Sequence, residues 1–425
     1  MLRTIWPWRC NDSWSSHPPF ALTRFLSQTD LEAELWVLTR GPQARATFVH
    51  PALPDRMFRL VSRAIRVNRR SHPENDWATR ILEAHYIRGL RQGDVAHVFY
   101  RGGCSLRMLR ALKERGAVTF LELSNTMGHT VTRILEDVYR RAGWPIEHDV
   151  SPRELQADLD LQLRQVEAAD FIFSPSPAVA DSLLESGVPQ SKILSTSYGW
   201  DPERFSRGNA RALPEISGVT VLFVGTVCER KGAHLLLEAW SRAGIDGRLV
   251  LLGFIAPRVA THCARLLNRP DVICVPFNPD AAPFFRSADI LALPTLEEGS
   301  ALVTYEAMGV GLPLLTSPMG AGSVVRHDKE GLVVDPHSEE HLIAALRRMA
   351  YDADLRRAFG EAGRARALEY TWEKVAARRY ELVRSALSGG ARARSSESMP
   401  ADAGHAAARQ EKASPERDLL TLSRS

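Results

Sequence analysis

The sequence predicts an α/β protein built from two doubly wound, Rossmann-like domains facing across a cleft. Three observations carry that expectation. A chain of 425 residues exceeds what one hydrophobic core ordinarily organises. With 44% hydrophobic residues, 24% charged residues and a net charge of +4, the composition is that of a folded chain with material for two cores. Short runs of Val, Ile and Leu alternate with segments of helical period, the pattern of parallel strands covered on both faces.

The alternation is clearest from about residue 212 onward. The run VTVLFV (219–224) ends at Gly225, and 248–252 ends at Gly253. Further strands are expected at 272–275, at 290–293 before Pro294, at 313–316 and at 332–334. Helical segments at 234–243, 257–267 and 302–310 lie between them. In the first 205 residues the candidate strands are 34–38, 95–99, 118–123 and 171–173, with helical stretches at 56–69 and 155–168. Pro214 and Gly218 mark a linker over 209–218. Ser338 is placed to cap a helix whose first turn carries Glu339 and Glu340, and Thr371 to cap a last helix ending near Leu387.

The expected division is therefore a first domain over 1–208 and a second over 212–369. A final helix at 370–387 is expected to return to the first domain. The Ser, Ala, Gly and Arg-rich segment 388–425 is expected to be a disordered tail.

The composition also excludes several classes. Only six of the 54 basic residues are lysine, a bias of codon usage rather than of chemistry, and the modest net charge comes with no nucleic-acid-binding motif. Cys10, Cys104, Cys228, Cys263 and Cys274 are scattered, odd in number and without CxxC spacing, as expected of reduced packing thiols. No apolar run approaches 18 residues, and the first residues lack both the long apolar core and the cleavage site of a secretory signal. The expected location is the cytoplasm.

Two stretches carry chemistry. In PTLEEGSALVTYEAM (294–308), Glu298 lies in a loop directly after a strand, and Glu306 lies two turns into the helix that follows. Eight helical positions turn by about 80°, so periodicity alone does not place the two acids on one face. Between them Gly299, Ser300, Ala301 and Leu302 offer backbone N–H groups at a helix N-terminus, an arrangement suited to a diphosphate. The plain alternative is a solvated loop acid and a surface helix acid. In FVGTVCERKG (223–232), Gly225 lets the chain approach a ligand closely, and Arg230 and Lys231 bring cations to the same sheet edge. The order Lys-Gly without a following Ser or Thr excludes a Walker A loop.

In this order, the two stretches resemble glycosyltransferase family 4, the retaining nucleotide-sugar enzymes of GT-B fold. That family carries a Gly-x5-Lys-Gly turn, matched by Gly225, Lys231 and Gly232, and a Glu-x7-Glu motif, matched by Glu298 and Glu306. AADFIFSPS (168–176), VPQSKI (188–193), SYGWDPERF (197–205) and DKEGLVVDP (328–336) also look like family segments. The resemblance implies that Lys231 holds the donor diphosphate, Glu306 the ribose hydroxyls and Glu298 the transferred sugar. The Gly299–Leu302 amides would cradle the phosphates, and Gly225, Thr226 and Arg230 would complete the donor site.

His129, in LELSNTMGHT (121–130), falls near where the family often places a histidine beside the reacting sugar; Arg101 to Gly103 is a weaker cleft candidate. A structural histidine after a strand is the plain alternative for His129. The implied reaction breaks the bond from the anomeric carbon to the diphosphate through an oxocarbenium-like state, with no protein nucleophile and no cofactor or metal. The sequence shows neither an Asp-x-Asp motif nor a His/Cys ligand cluster.

The expected function is transfer of a sugar from a nucleotide-sugar donor to a glycan or lipid-linked acceptor, in the assembly of a surface or exported polysaccharide. Other GT-B enzymes, such as an epimerase or a phosphorylase, and a non-catalytic nucleotide-binding subunit stay open. Four departures from the family bear on this. Thr226 stands where an arginine is usual, Gly299-Ser300-Ala301 replaces Gly-Phe-Gly, Val303 replaces a proline, and the segment from Ser15 to Pro19 stands in place of a glycine-rich acceptor loop.

One feature lies outside these motifs. Arg56, Arg59, Arg63, Arg66 and Arg70 recur at helical spacing opposite Met57, Leu60, Val61 and Ala64. Residues 40–115 hold 16 basic against 6 acidic side chains. Such a helix fits peripheral contact with an anionic membrane on its cytoplasmic face, or a solvated arginine face over an ordinary core stripe.

Overall fold

The apolar runs assemble into two separate sheets in which every strand pair is parallel. The computed structural model describes residues 1–10, 18–40, 46–54, 77–99, 105–146 and 150–388. The first sheet contains β1 (Leu2–Cys10), β2 (Glu34–Arg40), β3 (Val49–Leu53), β4 (Val95–Phe99), β5 (Val118–Glu122), β6 (Phe171–Ser174) and β7 (Ile193–Ser195), in the order β3-β2-β1-β4-β5-β6-β7. The second contains β8 (Val219–Val224), β9 (Gly247–Leu252), β10 (Val272–Val275), β11 (Ile290–Leu293), β12 (Leu314–Thr316) and β13 (Gly331–Val333), in the order β10-β9-β8-β11-β12-β13.

The helices of the first half are α1 (Pro18–Leu26), α2 (Trp77–Gly89), α3 (Leu106–Glu114), α4 (Gly128–Ala142), α5 (Pro152–Ala168) and α6 (Pro177–Glu185). Those that follow are α7 (Pro202–Ser206), α8 (Ala233–Ala243), α9 (Pro257–His262), α10 (Ala264–Leu267), α11 (Ala282–Phe285), α12 (Leu302–Val310), α13 (Pro318–Ala321), α14 (Glu339–Tyr351), α15 (Ala353–Ala367) and α16 (Trp372–Leu387). Both sheets are doubly wound, as the sequence predicts.

Val221, Leu222, Phe223, Leu249, Val250, Leu251 and Ile290 to Leu293 are fully buried, which is why the strands of the second half read as unbroken apolar runs. Each of the Val, Leu, Ile and Phe side chains contributes about 1.5–3 kcal/mol relative to exposure. Ser338 accepts from the His341 N–H at 3.2 Å and starts α14, and Thr371 accepts from the Lys374 N–H and starts α16. The expected helix over 257–267 is two pieces, because Cys263 leaves helical geometry (φ −106°, ψ 15°) between them.

Strand β1 was not expected, because charge interrupts it. Arg3 is buried as the second residue of the strand, where its Nε lies 3.0 Å from Asp94 and 3.3 Å from Glu34. These partners come from a neighbouring strand and the loop before β4, so local sequence does not reveal that the charge is neutralised.

The sequence places the link between halves at 209–218; α7, which precedes it, already packs on α12 of the second half, with Phe205 against Phe285. Residue Ala212 donates to Pro283 O at 3.1 Å and to Ser287 Oγ at 2.9 Å, so the Pro- and Gly-bearing segment is a surface loop of the second half. Beside the outgoing backbone at Trp200 runs the return. Trp200 donates to Tyr370 O at 3.0 Å, Trp372 donates to Trp200 O at 3.2 Å, and Trp200 pairs with Thr371 as an isolated parallel bridge.

Helix α16 then packs against α1 in the first half. Its buried Arg379 grips Glu122 at the end of β5 with bonds of 2.5 and 2.9 Å, and His97 Nε2 lies 3.3 Å from the same carboxylate. Burial alone would raise the Glu122 pKa, but Arg379 outweighs it and pulls the carboxyl down to about 2. The basic stretch Arg56–Arg70 and most of the tail expected at 388–425 lie outside the described residues.

Candidate active site

The two motif stretches leave the carboxyl ends of β8 and β11, which are neighbours in the second sheet. Strand order reverses between them, and crevices at such switch points are where open α/β sheets hold ligands. After β8 the chain turns at Gly225 (φ +129°), and the alkyl chain of Lys231 lies across that turn. Glu229–Lys231 form a single 3₁₀ turn closed by Gly232 at φ +68°. A Cβ on Gly232 would sit 2.0 Å from Pro294 O, so only glycine lets this turn press against the end of β11. The Arg230 carbonyl then accepts from Leu296 N at 2.9 Å and Glu297 N at 3.2 Å, which locks one motif to the other.

This locking brings charge together. Lys231 Nζ donates to Glu298 Oε2 at 2.5 Å, and Arg230 Nη1 lies 3.8 Å from the same oxygen. Burial alone would raise the Glu298 pKa; Lys231 and Arg230 outweigh it and hold the carboxyl below its ordinary value. Glu306 sits in mid-α12 with Arg204 Nη1 at 3.4 Å. Here burial prevails over Arg204 and pushes the carboxyl up to about 7. Helix α12 starts at Ala301 with no side-chain cap, and the Ser300 hydroxyl is 2.7 Å from the Tyr305 hydroxyl inside its first turn. Thr226 is exposed at the mouth of the Gly225 turn.

Gly299 faces the other half: a Cβ there would meet Ser124 O at 1.7 Å. Sequence reasoning missed the reason for this close approach, which is Glu297. Fully buried, its carboxylate accepts from Thr126 N at 3.1 Å, Thr126 Oγ1 at 2.8 Å, Asn125 Nδ2 at 3.2 Å and Arg230 Nη1 at 3.0 Å. His129 follows three residues later on the first turn of α4, exposed to solvent. Arg204 was also missed; its Nη2 is anchored on Pro279 O at 2.8 Å.

The only available signals were the doubled acid at 297–298 and the arginine in DPERF, and neither names its partner. Arg101 to Gly103 and Ser15 to His17 lie outside the described residues. Among the described residues no helix is long and apolar enough to cross a membrane.

Fold and switch-point site together define a GT-B protein. Two solved structures share the whole architecture: Anabaena HepE in complex with UDP-glucose (14% identity, TM-score 0.62, 91% of this chain and 100% of that one), and the sucrose-phosphate synthase of Thermosynechococcus elongatus (17%, 0.63, 91% and 99%). Residues 218–352 match the family model described as glycosyl transferases group 1. Among curated relatives, the D-inositol 3-phosphate glycosyltransferase of Paenarthrobacter aurescens (strain TC1) is 25% identical over 294 residues, covering 64% of this chain and 71% of the relative. That of Segniliparus rotundus is 32% identical over 252 residues, covering 54% and 56%. The family-model match, 218–352, takes in Lys231, Glu298 and Glu306.

Proposed function

We propose that the chain is a retaining glycosyltransferase of family 4 that moves a sugar from a nucleotide-sugar donor to a glycan, lipid-linked or other polyol acceptor. The observation that supports this best is the Lys231–Glu298 contact of 2.5 Å at the switch point, with Glu306 buried in the helix beyond. In this reading the donor diphosphate takes Lys231 from Glu298 and lies on the uncapped N-terminus of α12, where charge growing on the leaving phosphate is met by a fixed cation and by amide dipoles. Freed from Lys231, Glu298 faces the sugar, while Glu306 accepts from the ribose hydroxyls. Arg230 supplies the second cation where Thr226 leaves none. The reading needs no metal or cofactor.

A solved neighbour in complex with UDP-glucose favours a nucleotide-sugar donor. Relatives named for inositol 3-phosphate favour a polar, hydroxyl-bearing acceptor; assembly of a surface or exported polysaccharide is one setting for such an enzyme.

The test is nucleotide release from UDP-, GDP- and ADP-sugars with a panel of hydroxyl acceptors. The wild type should release one nucleotide, and Lys231→Ala and Glu306→Ala should lose that release. Equal release by the variants would refute the assigned roles. Tight nucleotide binding by calorimetry without any turnover would favour a non-catalytic subunit instead.

A further inference from the structure

Helix α4 belongs to the first half by topology, yet both its ends are fastened to the second. At its far end the Tyr139 hydroxyl donates to Glu229 Oε1 at 2.9 Å, and Arg258 lies over the Tyr139 ring at 4.3 Å. Leu296 packs with Val138 and Tyr139 along the helix. At its start the fastening is the Glu297 carboxylate. We infer that Glu297 is a positioning residue: its buried carboxylate ties the Ser124–Thr126 loop, and with it the His129-bearing start of α4, in register with the Lys231–Glu298 pair. This deepens the glycosyltransferase reading above and rests on it for its catalytic readout.

The geometry supports the inference in three ways. All four groups that meet the Glu297 carboxylate are donors, so an acceptor-only side chain is required there. Two of those donors are backbone and side chain of one residue, Thr126, which fixes the loop in orientation as well as distance. Arg230 also donates to the Glu297 carbonyl at 2.8 Å, so the acid cannot follow the first half when the cleft opens. Opening therefore means separating Thr126 and Asn125 from a carboxylate that stays behind with Arg230.

Three variants test this: Glu297→Gln, Glu297→Ala and, from the opposite side, Thr126→Val, which keeps the inference open to refutation should the Glu297 variants not fold. In Glu297→Gln the amide nitrogen turns a donor toward Asn125 or Arg230. Each variant is compared with wild type for affinity toward UDP, GDP and ADP, for kcat and KM, and for radius of gyration by small-angle scattering. In Thr126→Val, which leaves Lys231, Glu306 and the Arg230–Glu297 pair in place, nucleotide affinity should stay within about threefold while turnover falls. Turnover should fall by about a hundredfold in Glu297→Ala, as expected for misplacement near the reacting atoms.

The radius of gyration should rise, and adding Thr126→Val to Glu297→Ala should cost nothing further, since both remove one interaction. Turnover of Glu297→Gln within about threefold of wild type overturns the inference. So does a loss of nucleotide affinity in step with turnover in Thr126→Val, which would make the Thr126–Glu297 contact a support of the donor half alone. If the wild type turns over no donor, the enzymatic reading fails by itself, and scattering then decides: an unchanged radius in all three variants overturns the tie, an increased one sustains it.

Discussion

Glu306→Gln separates what this acid does for stability from what it does for chemistry. Burial raises its pKa from 4.5 to about 7, so between those values the folded protein holds a proton that the unfolded chain has released. Stability attributable to this group therefore falls as pH rises through the window. A shift of that size corresponds to about 3 kcal/mol at 1.36 kcal/mol per unit. Below about pH 4.5 the carboxyl is neutral in both states and costs nothing; above about pH 7 the full penalty is present. Glutamine is neutral throughout.

The difference in unfolding free energy between Glu306→Gln and wild type should therefore grow in favour of the variant by about 3 kcal/mol from pH 4.5 to pH 8. The attraction of Arg204 for the ionised carboxylate grows over the same range and is already contained in the pKa of about 7. Urea unfolding of both proteins at the two pH values, followed by tryptophan fluorescence, measures the difference. A difference that does not change with pH would refute the assignment of a raised pKa to Glu306. On the proposed role the same substitution should weaken donor affinity, and wild-type affinity should rise with pH through about 7 as the acid ionises.

Lys231→Met should lower turnover by about a hundredfold or more, the usual loss when a preorganised group that stabilises developing charge is removed, with donor hydrolysis as the assay. Gly299→Ala puts a methyl group 1.7 Å from Ser124 O; the halves must separate, so transfer should be lost while calorimetry still shows nucleotide binding. Arg379→Met leaves the buried Glu122 carboxyl with His97 beside it but without its guanidinium. About 3–5 kcal/mol of stability should disappear, read as a lowered urea midpoint, and a midpoint equal to wild type would show that the pair is not needed.

The second half was legible because its strands are buried on both faces and its motifs follow them directly. Ile290–Leu293 and Val272–Val275 fall where the sequence puts them, and Lys231, Glu298 and Glu306 stand out through the family motifs that they resemble. The first half was less legible for a physical reason: its sheet tolerates buried charge supplied with distant partners. Arg3 interrupts β1 and is neutralised by Glu34 and Asp94, and Glu122 ends β5 against Arg379, 257 positions away. Glu297 is the same case inside the site. Beside Glu298 it looks like a second loop acid, and nothing local indicates that Thr126, 171 positions earlier, supplies its donors.

The connection between the halves has a mechanical consequence. The outgoing strand at Trp200 and the returning one at Thr371 are bonded side by side, so the halves are coupled by a two-ply ribbon rather than by a single thread. A single thread swivels in any direction. A bonded pair bends easily across its flat face but resists torsion, since twisting would shear the Trp200–Tyr370 and Trp372–Trp200 bonds. The cleft should then open and close like a book on its spine, so that each closure returns the same pages to the same register.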